Sequence, residues 1–275
     1  MYELKQTKFN ICKQLLSDAD MVNEVQAIIA GKNPGRIFVD DSEEPKSGLV
    51  WFGNLDGFCF IGDENNDVFI DKIDDLIDQV IAPESKALDL KWFEGFGINK
   101  AWEKKLETIF AKRKPVVGKQ RVYTLFPNLY VREVEPIMDS KYSMEKITKL
   151  LLENNKLKNK DKLQSKVLEF WQTIDDFETN GLGYCIVYKN EIVSHCFSSF
   201  TTEKYQGIAI ETEKEYRGKN LAKIVAHRFV QECFNNRMIP YWDCMEINKP
   251  SIAVAESIGF QRKFNYKVME FPFEN

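Results

Sequence analysis

The stretch from Tyr205 to Phe260 constrains this chain most, because its hydrophobic period switches back and forth between strand and helix. Gln206 to Thr212 is β-branched and alternating, so it reads as a strand. From about Lys219 the period becomes helical. Leu221, Val225, Phe229 and Cys233 share one face, with Ala222, Ala226 and Val230 beside it. Between strand and helix lies Tyr216-Arg217-Gly218-Lys219-Asn220-Leu221-Ala222. A polar, glycine-containing turn that feeds a helix leaves the first helical N–H groups unpaired, and the macrodipole favours negative charge there. A phosphate fits such a place, and Arg217 and Lys219 can add side-chain charge. An ordinary basic connection between strand and helix is the plain alternative. Further on, Tyr241 to Glu246 reads as a strand and Ser251 to Ile258 as a helix closed by Gly259.

The run Arg217-Gly218-Lys219-Asn220-Leu221-Ala222 resembles the pyrophosphate loop of the GNAT N-acetyltransferase superfamily. Asn248, Ser251 and the run Ala253 to Phe260 resemble the family's second conserved segment, with Pro240 to Cys244 between the two and Ile210-Glu211-Thr212 ahead of the loop. The combination is similar to the subfamily that includes the zwittermicin A resistance protein. It covers roughly the last hundred residues, and more loosely the chain back to Leu129. The resemblance implies a C-terminal mixed, mostly antiparallel sheet flanked by helices. It also implies acetyl-coenzyme A as cosubstrate and an amine of a small molecule as acceptor, and it permits an antibiotic-like one. It places coenzyme contacts at Ile210, Glu211, Thr212, Arg217, Gly218, Lys219, Asn220, Leu221, Ala222, Asn248 and Ser251. Two positions depart from the pattern. Asn220 stands where the loop has its central Gly, and Asn is the non-Gly residue that best tolerates the left-handed region. Ala255 stands where many members carry the Tyr that protonates the departing thiolate; Tyr184, Tyr205 and Tyr241 are the candidates to replace it. A catalytically weak acyl-coenzyme A-binding or sensing protein is therefore the second reading.

Acyl transfer also needs a deprotonated amine. Glu211, at the strand end nearest the acyl group, can serve as base directly or through water. A surface carboxylate opposing Lys or Arg is the competing reading. His195 is a second proton acceptor, or a half-buried structural histidine. His227, inside the long helix, reads as structural. Asp243 and Cys244 alternate on their strand, so one of them faces the cleft. Asn248 can also cap the helix that follows, with Pro250 in its first turn.

The 275-residue chain is 44% hydrophobic and 29% charged, which suits buried cores and a two-domain division. A net charge of −4 argues against nucleic acid as the main partner. The locally basic run around Lys156 to Lys162 reads as a solvated face. Six Cys without a C-x-x-C pair fit reduced thiols in a cytoplasm, two His disfavour a His-based metal site, and no apolar run is long enough to span a membrane.

The expected domains are 1–127, α/β, and 128–275, the acetyltransferase-like part. In the first, Ser17 to Ala30 reads as a helix capped by Ser17 or Asp18. Arg36 to Asp40, Leu49 to Phe52 and Phe58 to Ile61 read as strands. Asp67 to Ile81 reads as a helix ended by Pro83, Ala87 to Trp92 as a strand, Lys100 to Lys112 as a helix and Arg121 to Phe126 as a strand. This order resembles a truncated, degenerate copy of the family architecture. Its counterpart loop, Gly62 to Asp67, is acidic where an anion would bind. In the second domain, Leu129 to Val134 reads as a strand, Met144, Ile147 and Leu151 mark a helix, and Leu163 to Phe177 mark another with Trp171 alongside. Gly183 to Tyr188 and Ile192 to Phe200 form a hairpin, and Asn265 to Phe271 the last strand.

Overall fold

The computed structural model describes residues 1–16, 22–131 and 134–273. The chain begins with β1 (Tyr2–Glu3), a 3₁₀ segment (Gln6–Leu15), α1 (Asn23–Ile29), β2 (Arg36–Val39), β3 (Ser47–Trp51) and β4 (Gly57–Gly62). It goes on through α2 (Asp67–Ile70), α3 (Ile73–Leu76), a π-helical turn (Ile77–Ile81), α4 (Ala82–Ala87), β5 (Trp92–Gly97), α5 (Lys100–Ile109) and β6 (Val116–Thr124). Then come β7 (Ser143–Lys146), α6 (Lys149–Leu152), α7 (Lys160–Leu168), α8 (Ile174–Asn180), β8 (Gly183–Tyr188) and β9 (Glu191–Thr201). The last elements are β10 (Tyr205–Thr212), α9 (Leu221–Asn235), β11 (Ile239–Met245), α10 (Lys249–Ile258) and β12 (Gln261–Pro272).

These elements form two compact units. One is Met1–Gln120 with the segment from Asn265, and the other is Arg121–Phe264. In the first, the strands lie in the order β1-β2-β3-β4-β5-β12, antiparallel except for the parallel pair β4–β5. In the second the order is β7-β8-β9-β10-β11-β6, with β10–β11 parallel and β7 to β10 antiparallel. The N-terminal unit thus repeats the strand and helix order of the C-terminal one. The strand that completes each is exchanged. β6 follows α5 in sequence but lies beside β11. β12 follows α10 but pairs with β5 through Met269↔Gly95 and Phe271↔Phe93. The final strand, expected in the C-terminal domain, therefore serves the first unit's sheet over Met269 to Pro272.

Aromatic stacking holds that first unit. Phe93 lies between Phe58, at 4.3 Å, and Phe271, at 4.9 Å, in a core that also buries Trp51, Phe60, Trp102 and Phe110. Each fully buried aromatic contributes about 1.5–3 kcal/mol. In the second unit the two faces of the sheet bury different helices. α9 and α10 cover one face, where Val225, Phe229, Ala226 and Val230 meet Ile208 and Ile210. α6, α7 and α8 cover the other through Leu163, Val167 and Phe177, which meet Phe197 and Ala209.

Several expectations fail for identifiable reasons. Pro83 does not end its helix. The π-helical turn precedes it, and Pro83 sits in the first turn of α4, where its missing N–H costs least. The strand expected at Ala87 to Trp92 lies at Trp92–Gly97 instead. Gly95 and Gly97 weaken its sequence signal, yet a Cβ at Gly95 would meet the Phe93 ring at 2.3 Å. Met144 belongs to β7, not to a helix, because the helix begins only where Thr148 accepts from the Leu151 N–H. The helix expected over Leu163 to Phe177 is two, since Thr173 caps α8 afresh and the Trp171 indole donates to Ser198 O between them. Leu129 ends a 3₁₀ turn, and the described part of 129–134 contains no strand. Ser17 and Asp18, proposed as caps, lie outside the described residues; α1 itself runs Asn23–Ile29.

Two outcomes follow from this architecture. A fragment 128–275 loses β6, and with it Tyr123 and Leu125 from the core under α10, while β12 is left without β5. It should fail to fold cooperatively, as read by circular dichroism melting; a sharp native-like transition would refute the importance of the exchanged strands. The second concerns Glu94, which faces Glu270 directly across β5–β12. Burial, then the charges of Asp56 and Glu270, push the Glu94 carboxyl up from 4.5 to about 7. The folded state therefore keeps a proton that the unfolded chain releases, so stability should fall as pH rises from about 4.5 to about 7. Glu94→Gln should flatten this slope and raise the denaturation midpoint above pH 7. An unchanged slope in urea titrations would refute it.

Candidate functional site

β10 and β11 start as neighbours and then separate. Their parallel ladder comprises Tyr205↔Ile239, Gln206↔Pro240 and Gly207↔Tyr241, although β10 continues to Thr212 and β11 to Met245. β9 holds β10 along nearly its whole length, as far as Thr212↔Ser194. The far half of β11 is held elsewhere, because Trp242 and Cys244 pack against Ile252, Ala255 and Ile258 of α10. Backbone groups on the β11 side of Ile208 to Thr212 therefore face a gap where a ladder would otherwise run.

The gap opens into a cavity of about 810 Å³ between the N-terminal ends of α9 and α10. The loop leading into α9 folds as its residues dictate. Arg217 is extended, Gly218 takes φ 76°, and Asn220 takes φ 59° and ψ 11° immediately before the 15-residue α9. A Cβ at Gly218 would meet nothing within 4 Å, so glycine is required there by conformation and not by space. The Asn220 side chain makes no capping bond, which leaves the first-turn N–H groups of α9 without a side-chain acceptor from that residue.

Of the residues singled out from the sequence, Ile210, Glu211, Thr212, Arg217, Gly218, Asn220, Leu221, Ala222, Asn248 and Ser251 line this cavity. Lys219 and His195 do not. The Lys219 ammonium donates to Glu215 O at 3.0 Å and lies 4.6 Å over the Tyr216 ring. Arg217 Nε donates to Thr212 O at 3.1 Å, which ties the loop to the end of β10. Asn248 caps α10 by accepting from the Ser251 N–H, and Ser251 Oγ accepts from the Trp242 indole at 2.9 Å. Both residues thus have structural partners while lining the wall. Tyr216, Lys223, Trp242, Ala253, Val254 and Ser257 also line it and were not named as coenzyme contacts from the sequence, although all but Tyr216 and Lys223 lie in the segments that carry the resemblance. The small Ala253 and the short Ser257, four positions apart on α10, share a helical face and were the available signal.

The two candidate bases differ in setting. Glu211 accepts from Lys162 Nζ at 2.9 Å. Burial pushes its carboxyl up, but the Lys162 bond and then the charges of Lys162 and Lys166 outweigh that and hold it below the usual value. It is a carboxylate opposed by a lysine. His195, opposite Glu211 in the ladder, is 5% exposed and stacks on Phe197. Burial pulls its imidazole down to about 4 against the pull of Glu211, so it is neutral at pH 7. The imidazole shares its face of β9 with Phe197, which packs against α7. His227 accepts through Nδ1 from Tyr130 at 2.9 Å, when the hydroxyl donates, and lines no part of the cavity. Cys244 lies in the core beneath α10, and burial raises its thiol. Alternation turns Asp243 to the opposite face. Tyr205 and Tyr241 meet edge to face at 6.0 Å, and the Tyr184 hydroxyl accepts from Arg228 at 3.2 Å; none of the three lines the cavity.

The pattern of the GNAT acetyltransferase family matches residues 13–269. This chain belongs to the GNAT acetyltransferase family. An uncharacterized N-acetyltransferase, YdfB, of Bacillus subtilis (strain 168) is 26% identical over 271 residues, covering 98% of this chain and 97% of that one. The crystal structure of a GCN5-related N-acetyltransferase-like protein from Streptococcus suis 89/1591 is similar with a TM-score of 0.69 at 20% identity, over 97% of this chain and 98% of the other. A tandem GNAT protein from the clavulanic acid biosynthesis pathway is similar with a TM-score of 0.60 at 12% identity, over 98% and 96% of the two chains. As a GNAT acetyltransferase with two units of like strand order, this chain shares its two-part arrangement with that tandem structure.

The left-handed Asn220 can be tested without any ligand. Asn220→Gly should leave stability nearly unchanged, whereas Asn220→Val should cost about 1–2 kcal/mol through Cβ crowding. Equal denaturation midpoints for the two variants would refute the geometry of the loop.

Proposed function

We propose that this acetyltransferase moves an acetyl group from acetyl-coenzyme A to a primary amine of a small molecule, in the cytoplasm, with one coenzyme per chain. One observation carries the reading: the β10–β11 ladder stops at Gly207↔Tyr241, and the gap leads straight to the N-terminal end of α9. The start of α9, with Gly218, Asn220 and the Arg217 side chain, receives the pyrophosphate. The open backbone of Ile208 to Thr212 pairs with the pantetheine amides, and an N–H of the same strand donates to the thioester oxygen. Ala222, Ala253 and Ser257 keep the walls narrow in side chain, so the coenzyme can lie close to both helices.

The acceptor nitrogen attacks the thioester carbon, a C–N bond forms, and the C–S bond breaks with the electron pair leaving on sulfur. Glu211, held ionised, receives the acceptor's ammonium and passes one proton to water before the attack; the second N–H proton leaves to water as the C–S bond breaks. Ala255, on the fully buried face of α10, offers no acid. Solvent protonates the thiolate, a tolerable leaving group because a thiol has a pKa of about 8.5. The likeness of the last hundred or so residues to the zwittermicin A resistance subfamily supports including antibiotic-like amines among the acceptors.

The N-terminal unit offers no equivalent cradle. Gly62 takes φ 82° with Lys46 O against the position of a Cβ, and Asn65 N donates to Asp63, so the acidic loop closes on itself. Its following helix, α2, is a single turn. Calorimetry should therefore show one coenzyme A per chain, and Arg217→Ala should weaken it by about tenfold or more, the 1.5–3 kcal/mol of a charged hydrogen bond. Two coenzymes per chain, or unchanged affinity in the variant, would overturn these assignments. Coenzyme binding without thiol release toward any amine would favour an acyl-coenzyme A sensor.

A further inference from the structure

α7 is firmly seated. Leu163 and Val167 are buried against Phe197 and Ala209, and Asn159, just ahead of the helix, donates to Ile192 O at 3.1 Å. From this fixed base Lys162 reaches the end of β10. Its ammonium donates to Glu211 Oε1 at 2.9 Å and to Glu213 Oε1 at 2.5 Å. Glu211 and Glu213 are two residues apart, so they project to the same side. Of these groups only Glu211 lines the cavity, and it is the one carboxylate among the described residues of its wall. Glu213 is a second anchor that keeps the ammonium from swinging away. His195 from β9 and Lys166 from α7 also face Glu211, but Lys166 is already paired with Glu169 at 2.8 Å and His195 is neutral.

We propose that Lys162 is a positioning residue of the acceptor side: it fixes the Glu211 carboxylate at the cavity wall so that an incoming ammonium meets an ionised, oriented acceptor. This rests on the acetyltransferase reading of the cavity. Lys162 touches neither coenzyme nor acceptor; it acts only through Glu211. A lysine that merely braced α7 against the sheet would make the same bonds, so the test must separate bracing from positioning.

The variants are K162M, K162R, E211Q and the double K162M/E211Q. The first readout needs no substrate: the carboxyl ¹³C titration of Glu211 by NMR. Its midpoint should rise toward the ordinary glutamate value in K162M and stay in place in K162R. The second is acetyl transfer to tyramine, 1,4-diaminobutane and glycinamide. K162M should raise the acceptor KM about tenfold with coenzyme affinity unchanged, K162R should restore it, and K162M should add nothing on the E211Q background. An unmoved Glu211 titration, or an equal KM penalty with and without Glu211, overturns the proposal. Failure of the wild-type protein to bind coenzyme A or to acetylate any of the three amines would count against the acetyltransferase reading alone. In that case the carboxyl titration still decides whether Lys162 governs Glu211.

Discussion

The site depends on backbone hydrogen bonds that two neighbouring parallel strands do not make. β9 holds β10 to its end, while α10 draws β11 aside through Trp242 and Cys244. Neither strand can close the gap without breaking one of those attachments. Dry, unpaired backbone would be costly, at about 1–3 kcal/mol per group, so the gap is stable only if water or a ligand fills it. Such a gap offers hydrogen-bond partners to a ligand with amide groups of its own.

What holds the gap open also decides what stands around it. The helix that follows β10 must start at the mouth, because the connection to Leu221 is short and Gly218 and Asn220 turn it sharply. The helix that follows β11 supplies the opposite wall. One face of β10 therefore meets α9 through Ile208 and Ile210, and the other presents Glu211 to α7. On the proposed function, coenzyme chemistry and acceptor chemistry use opposite sides of a single strand, and alternation along that strand separates them.

Local features of this arrangement were legible in the sequence. β10 was placed to within one residue, and the turn at Lys189 and Asn190, both left-handed, suits the hairpin that was read there. Gly259 ends α10 with φ 104°, as its position after the periodic run suggested. Features set by distant residues were not legible. The partner of Glu211 is 49 residues away on a helix whose register no local pattern reveals. The character of His195 depends on burial under that same helix. β5 was misplaced because its glycines serve ring packing rather than strand propensity, and Met144 was misread because three residues fit a helical spacing by accident. The exchanged strands were invisible for a related reason: alternation marks Asn265 to Phe271 as a strand but does not say which neighbour it will find.

That exchange makes the order of synthesis matter. The ribosome delivers the first unit's helices and five of its strands early, yet the strand that seals the outer face of Phe93 follows only after the second unit has been made. Until then β5 presents an unpaired edge and a ring-lined hydrophobic face, the kind of surface that invites association between nascent chains. The second unit is spared this wait, since β6 has already been made when β11 arrives. The second unit can therefore mature as soon as β11 and α10 are made, while the first is completed only when β12 arrives.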